Sequence, residues 1–178
     1  MQVQKTRDIF TAQLDDAAGI NAALLAGYAK YREGDFAGVR RSHFFEGRYE
    51  NIYIDDALIP EIDHIKQAVC AAVAEITGTA TEQLKAGLWF NAMEPGQLTL
   101  PHRHDDDDEI CSAVYYVDVP EHSGQLKLSQ PHMTTTVTPQ AGMFVFFPPD
   151  MMHEVTRNES DRLRLSLGIN IGPARPED

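Results

Sequence analysis

The sequence predicts a mainly β protein, a sandwich or barrel of short strands braced by helices near its front, and three observations predict it. The first is a change of period. Ahead of residue 85 the apolar residues recur at helical spacing, and from Lys85 onward they alternate with polar ones. The second is the even placing of turn signals in that later part: Glu94-Pro95-Gly96, Pro120 to Gly124, Pro139 to Gly142, Pro148-Pro149-Asp150 and Arg157 to Asp161. The third is length, since 178 residues suit one domain around one sizeable core.

Taken in order, Asp15 to Tyr31 reads as a helix with Ile20, Leu24, Leu25 and Tyr28 on one face and Gly34 as its stop. His43 to Ile54 alternates aromatic and polar residues and holds a short strand. Pro60 to Ile76 is a second helix. Pro60 suits its first turn, Ile62, Ile65, Val69 and Val73 form its stripe, and Gly78 follows its end. Strands follow at Gly87–Glu94, Leu98–His102, Ile110–Val117, Gly124–Ser129, Thr134–Thr138, Gly142–Phe147, His153–Thr156 and Arg162–Ile171. Eight short strands at this spacing make a sandwich or barrel. The expected organisation is a single domain, 1–178: a helical support region over 1–84, a strand core over 85–171 and a Pro-rich, charged tail over 172–178.

Composition narrows the function classes. Hydrophobic residues make up 43% and charged residues 24%, the balance of an ordinary globular protein. A formal net charge of -12 argues against nucleic acid as a partner, because phosphates call for Lys and Arg. Cys70 and Cys111 each sit in an apolar stretch and are expected as buried, reduced thiols. Met1 to Phe10 lacks a signal-peptide pattern, and no apolar run approaches the roughly 20 residues of a membrane span. The default expectation is a cytoplasmic protein with no membrane partner.

The chemistry-bearing residues lie in the later part. His102 and His104 stand at i and i+2 at the end of a strand pattern, so both imidazoles face one way. His153 heads another strand, after Phe144-Val145-Phe146-Phe147-Pro148. Three such nitrogens form one face of ligands and leave other positions open, as a catalytic metal needs. Imidazole suits iron, zinc, copper or nickel, so the residues alone do not choose the metal. His-x-His by itself is a weak signal. The last strand strengthens it. Arg162, Arg164, Ser166, Gly168 and Asn170 alternate there with Leu163, Leu165, Leu167, Ile169 and Ile171. The polar face is either solvated or an anion site, a guanidinium fork for a carboxylate supported by the Ser166 hydroxyl.

The ordered string His102-x-His104, Ser112-Ala-Val-Tyr-Tyr-Val117, Gly142-x-Phe-Val-Phe-Phe-Pro148, His153-x-Val155-x-x-Asn158-x-Ser160 and Arg164-x-Ser166-x-x-x-Asn170 resembles the iron(II)/2-oxoglutarate-dependent oxygenase superfamily. Trp89-x-Asn91 and Gly96, ahead of His102, fit the same pattern. The likeness is to bacterial and phage oxygenases with a His-x-His motif, similar in their core to prolyl hydroxylases, and covers about residues 87–171. It implies a double-stranded β-helix, a cupin-like jelly roll packed by the N-terminal helices. It implies Fe(II) at the barrel mouth, held by His102, His104 and His153, with 2-oxoglutarate as cosubstrate and O2 as oxidant. The remote carboxylate of 2-oxoglutarate would meet Arg164 with Ser166 and Tyr116, with Asn91 joining the pocket. An ungapped comparison with prolyl hydroxylases selects Arg162 in place of Arg164. Asn158, Ser160, Ser166 and Asn170 fall in register with Arg164.

The chain departs from the superfamily in one respect. The usual motif is His-x-Asp or His-x-Glu, and His104 stands at the carboxylate position. Either three neutral histidines hold the metal, or the register slips by two and His104-x-Asp106 is the pair. The run Asp105 to Glu109 reads as a solvated loop, with attraction of cationic substrates as the sharper alternative. His43 with Arg40, Arg41 and Arg48 is a second polar cluster, expected at the surface rather than as a substrate wall. Three other classes stay open: a cupin-type three-histidine dioxygenase without 2-oxoglutarate, a zinc hydrolase or isomerase, and a non-catalytic metal-binding barrel. The partner is a small-molecule or peptide substrate, and a homodimer stays open.

Overall fold

A computed structural model describes residues 1–6, 8–104 and 108–175 of the chain. Asp105 to Asp107 therefore lie outside the described residues, and with them the Asp106 alternative and most of the acidic run. The elements are β1 (Val3–Thr6), β2 (Ile9–Gln13), α1 (Ala17–Glu33), β3 (Arg40–Phe45), β4 (Arg48–Tyr53), α2 (Glu61–Thr77), β5 (Leu84–Met93), β6 (Thr99–His102), β7 (Cys111–Asp118), β8 (Leu126–Gln130), β9 (Met133–Val137), β10 (Met143–Phe147), β11 (Met152–Val155) and β12 (Arg164–Pro173).

Two antiparallel sheets face each other. The larger runs β1-β2-β10-β7-β12-β5-β4-β3 and the smaller β6-β11-β8-β9. The strands expected after Lys85 supply the whole smaller sheet and the middle of the larger one, which is the jelly-roll core. The middle strands β7 and β10 of the larger sheet are buried on both faces, which explains the unbroken apolar run Phe144-Val145-Phe146-Phe147. Phe144 and Phe146 join Tyr115, Leu165, Leu167, Ile169 and Ile171 under the helices. Val145 and Phe147 turn the other way and pack with Tyr116, Leu126, Leu128 and Met151 between the sheets. In α2 the stripe Ile62, Ile65, Val69 and Val73 is fully buried. Each such side chain contributes about 1.5–3 kcal/mol relative to exposure.

The front region differs from expectation. It holds the two helices, but also four strands that extend the larger sheet. β1 and β2 escape a reading by periodicity because Val3-Gln4-Lys5-Thr6 is an exposed edge strand with almost no apolar pattern. Ile9 and Ala12 are the residues that β2 buries. The segment His43 to Ile54, expected to hold a short strand, belongs to a hairpin, β3 and β4, turning at Glu46-Gly47. Both cysteines are free and buried, and burial pushes the Cys111 thiol up to about 12. Among the described residues no helix is long and apolar enough to cross a membrane.

Candidate active site

β6 and β11 are antiparallel neighbours with His102 directly opposite His153. Residues so paired carry their side chains on one face. Pro101, which cannot donate to a ladder, is tolerated because β6 is the edge of its sheet. His104 lies just beyond β6, and its backbone N–H donates to the Pro149 carbonyl at 3.0 Å. This brings the third ring back to the first two. Ring centroids are 4.1 Å apart for His102 and His153, 5.2 Å for His104 and His153, and 5.7 Å for His102 and His104. One ligating atom from each lies within 4.8 Å of the others, a group that could hold a metal ion.

The backbone sets the tautomers. His102 Nδ1 donates to the Leu100 carbonyl and His153 Nδ1 to the Met151 carbonyl, each at 2.9 Å. A carbonyl only accepts, so the proton sits on Nδ1 and the Nε2 lone pair is left for a metal. Burial, then the neighbouring His102, push the His153 pKa down to about 3, which keeps this imidazole in its neutral, ligating form. His104 Nδ1 meets side chains instead: it lies 3.1 Å from Ser112 Oγ and 3.2 Å from Glu109 Oε1, and Ser112 Oγ donates to Glu109 Oε1 at 2.6 Å.

The three rings line a cavity of about 660 Å³ that also contains Asn91, Tyr116, Arg164, Ser166 and Asn170. Arg164 is 2% exposed, with no ion pair among the described residues. Its Nη1 donates weakly to the Ser123 and Gly124 carbonyls at 3.3 and 3.5 Å, and its Nε has no partner. Gly124 has φ 96°, and a Cβ there would collide with the Thr156 carbonyl, so the chain closes beneath Arg164 only with glycine. The Arg164 guanidinium lies 5.4 Å from the Tyr116 ring centre. The Tyr116 hydroxyl is buried without a partner, and burial raises its pKa, leaving a protonated donor. The Ser166 hydroxyl donates to the Asn91 carbonyl at 3.4 Å.

Strand parity separates Tyr115 from Tyr116, and the start of β12 separates Arg162 from Arg164. Tyr115 points to the helical side and donates to Asn21 at 2.6 Å, while Tyr116 enters the cavity. Arg162 precedes β12, is exposed, and pairs with Asp118 at 3.0 Å. Asn158 is structural: it donates to the Met93 and Arg162 carbonyls at 2.8 and 2.9 Å and accepts from Ser160. Two expectations are corrected. Glu109 is not solvated; its side chain is 4% exposed and faces His104. Arg48 is not at the surface; it is inside, paired with Glu50 at 2.7 Å and donating to the Ala92 and Leu98 carbonyls. His43 is exposed, yet also lines the cavity mouth with Tyr53 and Trp89.

Residues 88–172 match the family model described as the 2OG-Fe(II) oxygenase superfamily. Over these residues, just under half of its length, the chain is similar to the 2OG-Fe(II) oxygenases, enzymes that work with Fe(II), 2-oxoglutarate and O2. The donor set fits: three nitrogens converge on one point, and an unpaired guanidinium lies in the same cavity for a carboxylate. No curated protein matches the chain. Among solved structures, a prolyl-4-hydroxylase from Pseudomonas putida is 23% identical over 95% of this chain and 94% of its own, with a TM-score of 0.72. The epimerase SnoN, solved with Fe3+, alpha ketoglutarate and nogalamycin RO, is 17% identical over 93% and 78%, with a TM-score of 0.68. A prolyl hydroxylase from Trichoplax adhaerens, in complex with a hypoxia inducible factor peptide fragment, is 13% identical over 94% and 84%, also at 0.68. At these identities the likeness shows the shared fold.

Proposed function

We propose that this protein is a 2-oxoglutarate-dependent oxygenase, a hydroxylase acting on a small molecule or a peptide, with its iron on His102, His104 and His153 and the remote carboxylate of 2-oxoglutarate on Arg164 and Tyr116. The observation that carries the reading is the buried Arg164 guanidinium, without an anionic partner, beside the orphaned Tyr116 hydroxyl in the cavity that the three histidines line. A three-histidine dioxygenase that does not use 2-oxoglutarate has no need of such a pair. When bound, the iron and cosubstrate supply the oxidation, which couples decarboxylation of 2-oxoglutarate to succinate with attack on the substrate.

The chain's own residues bind, orient and shield. The Nδ1–H bonds to Leu100 and Met151 fix the two opposed imidazoles in the ligating tautomer. Arg164 and Tyr116 donate to one carboxylate from two directions, with Ser166 and Asn91 alongside. Val114, Leu126, Phe147 and Val155 make the cavity wall apolar and keep water from the reacting groups. The aromatic mouth of Tyr53, Trp89 and Phe44 is where a substrate enters. A prolyl hydroxylase solved with a peptide fragment supports a peptide, and the epimerase SnoN solved with nogalamycin RO supports a small molecule.

The test is anaerobic Fe(II) loading, then succinate detection after admitting O2, across a set of amino acids and peptides. Wild type should release succinate, and His153→Ala should not. Equal succinate release from His153→Ala would defeat the ligand assignment. O2 consumption without succinate would favour the cupin-type reaction.

A further inference from the structure

Glu109 is a buried carboxylate with no Lys or Arg paired to it among the described residues, a position that the cost of desolvating a charge disfavours strongly. Its Oε1 is 3.2 Å from His104 Nδ1 and accepts from Ser112 Oγ at 2.6 Å, while its Oε2 is buried with no partner. The backbone that follows it is anchored to β12. Ile110 N–H donates to the Ile171 carbonyl at 2.7 Å, and Ser112 lies opposite Asn170 in the β7–β12 ladder. His104 is the residue that occupies the place where the superfamily motif has a carboxylate. A metal held by three neutral imidazoles lacks the negative charge that such a ligand brings.

We infer that Glu109 supplies that charge from one atom shell further out, as the positioning residue of His104. His104 donates its Nδ1–H to the carboxylate, which turns Nε2 toward the metal and makes it a stronger donor. Ser112 Oγ, 3.1 Å from the same Nδ1, donates to that carboxylate oxygen and closes a triangle that fixes its direction. A positive ion on His104 Nε2 in turn offsets the charge buried at Glu109. The inference rests on the assignment of the three histidines as ligands. His104, Glu109 and Ser112 are close neighbours in sequence, but only the return of β7 alongside β12 turns Glu109 inward.

The experiment is anaerobic titration of the metal-free protein with Co(II), read by visible absorption, and with Fe(II), read by a competing chelator. The variants are Glu109→Gln, Glu109→Ala, His104→Ala and His153→Ala, each first checked for a native circular dichroism spectrum. Glu109→Gln keeps the shape and an acceptor oxygen while removing the charge. It should weaken metal binding about ten- to a hundredfold and shift the Co(II) bands, with Glu109→Ala at least as impaired. His153→Ala should lose binding outright. Wild-type affinity and an unshifted Co(II) spectrum in Glu109→Gln, with binding lost in His153→Ala, would overturn the role of Glu109 alone. Unchanged binding in His153→Ala and His104→Ala would overturn the metal site itself. Loss of binding in Glu109→Gln equal to that in His153→Ala would also overturn the inference, by making Glu109 a direct ligand.

Discussion

A guanidinium taken out of water without an anion is costly, and Arg164 is held in that position by its surroundings. Its two carbonyl contacts are long and its Nε is bare, so a carboxylate entering the cavity gains a charge-assisted pair at little cost in reorganisation. Arg164→Ala should therefore raise the KM for 2-oxoglutarate by about 10- to 100-fold, from the roughly 1.5–3 kcal/mol of a hydrogen bond to a charged group. Fe(II) affinity should change far less. Arg162→Ala should leave both unchanged, because Arg162 is tied to Asp118 at the surface. Steady-state succinate kinetics decide it, and the opposite ranking of the two arginines would remove the pocket assignment. Parity makes this site legible in the sequence. Residues two apart on a strand share a face, so Tyr116 separates from Tyr115, and Arg164 aligns with Ser166. Parity does not separate Arg162 from Arg164, since both share it; that depends on where β12 begins. Glu109 is illegible for a different reason. Next to four aspartates it has the composition of a solvated loop, and only a long-range pairing buries it.

β12 shows how an element shapes the cavity. Gly168 lies opposite Trp89 on β5 and opposite Val114 on β7. A Cβ at Gly168 would come within 2.5 Å of the Trp89 indole, so the ring lies flat across a bare stretch of backbone. Trp89 in turn reaches toward His104 and Tyr53, with ring centres 6.3 and 6.2 Å apart. Gly168→Ala should force the indole away, destabilise the fold by about 1–3 kcal/mol and change Trp89 fluorescence, as read by urea unfolding. An unaltered midpoint and spectrum would mean that the ring moves freely. The eight core strands are readable at this scale because turn residues separate most of them and most alternate inside those bounds. The edges are not. β1 carries a polar pattern because an edge strand exposed to water has little apolar surface to bury, and a single glycine, Gly47, is all that marks the β3–β4 turn.

At the scale of the whole molecule, the site joins two sheets that otherwise meet through a modest apolar layer. His102 and His153 belong to the smaller sheet, while His104 is tied through Glu109 and Ser112 to β7 of the larger. Between the sheets lie Ile9, Tyr116, Leu126, Leu128, Val145, Phe147 and Met151, fewer than the residues that pack the helical side. An ion held by these three histidines, one of them tied to β7 through Glu109 and Ser112, would therefore act as a clamp on the weaker layer. Because the unfolded chain has no preformed triad, metal binding adds directly to stability. At a free metal concentration a hundred times Kd the gain is about 2.7 kcal/mol. For a chain of this length that raises Tm by about 5–10 °C. Anaerobic calorimetry with Fe(II), or with Mn(II) as an unreactive substitute, should show this rise in wild type and its reversal by chelator. His153→Ala should melt at one temperature with or without metal. A rise of the same size in that variant would place the stabilising ion elsewhere, and none in wild type would mean that the two sheets are held together without it.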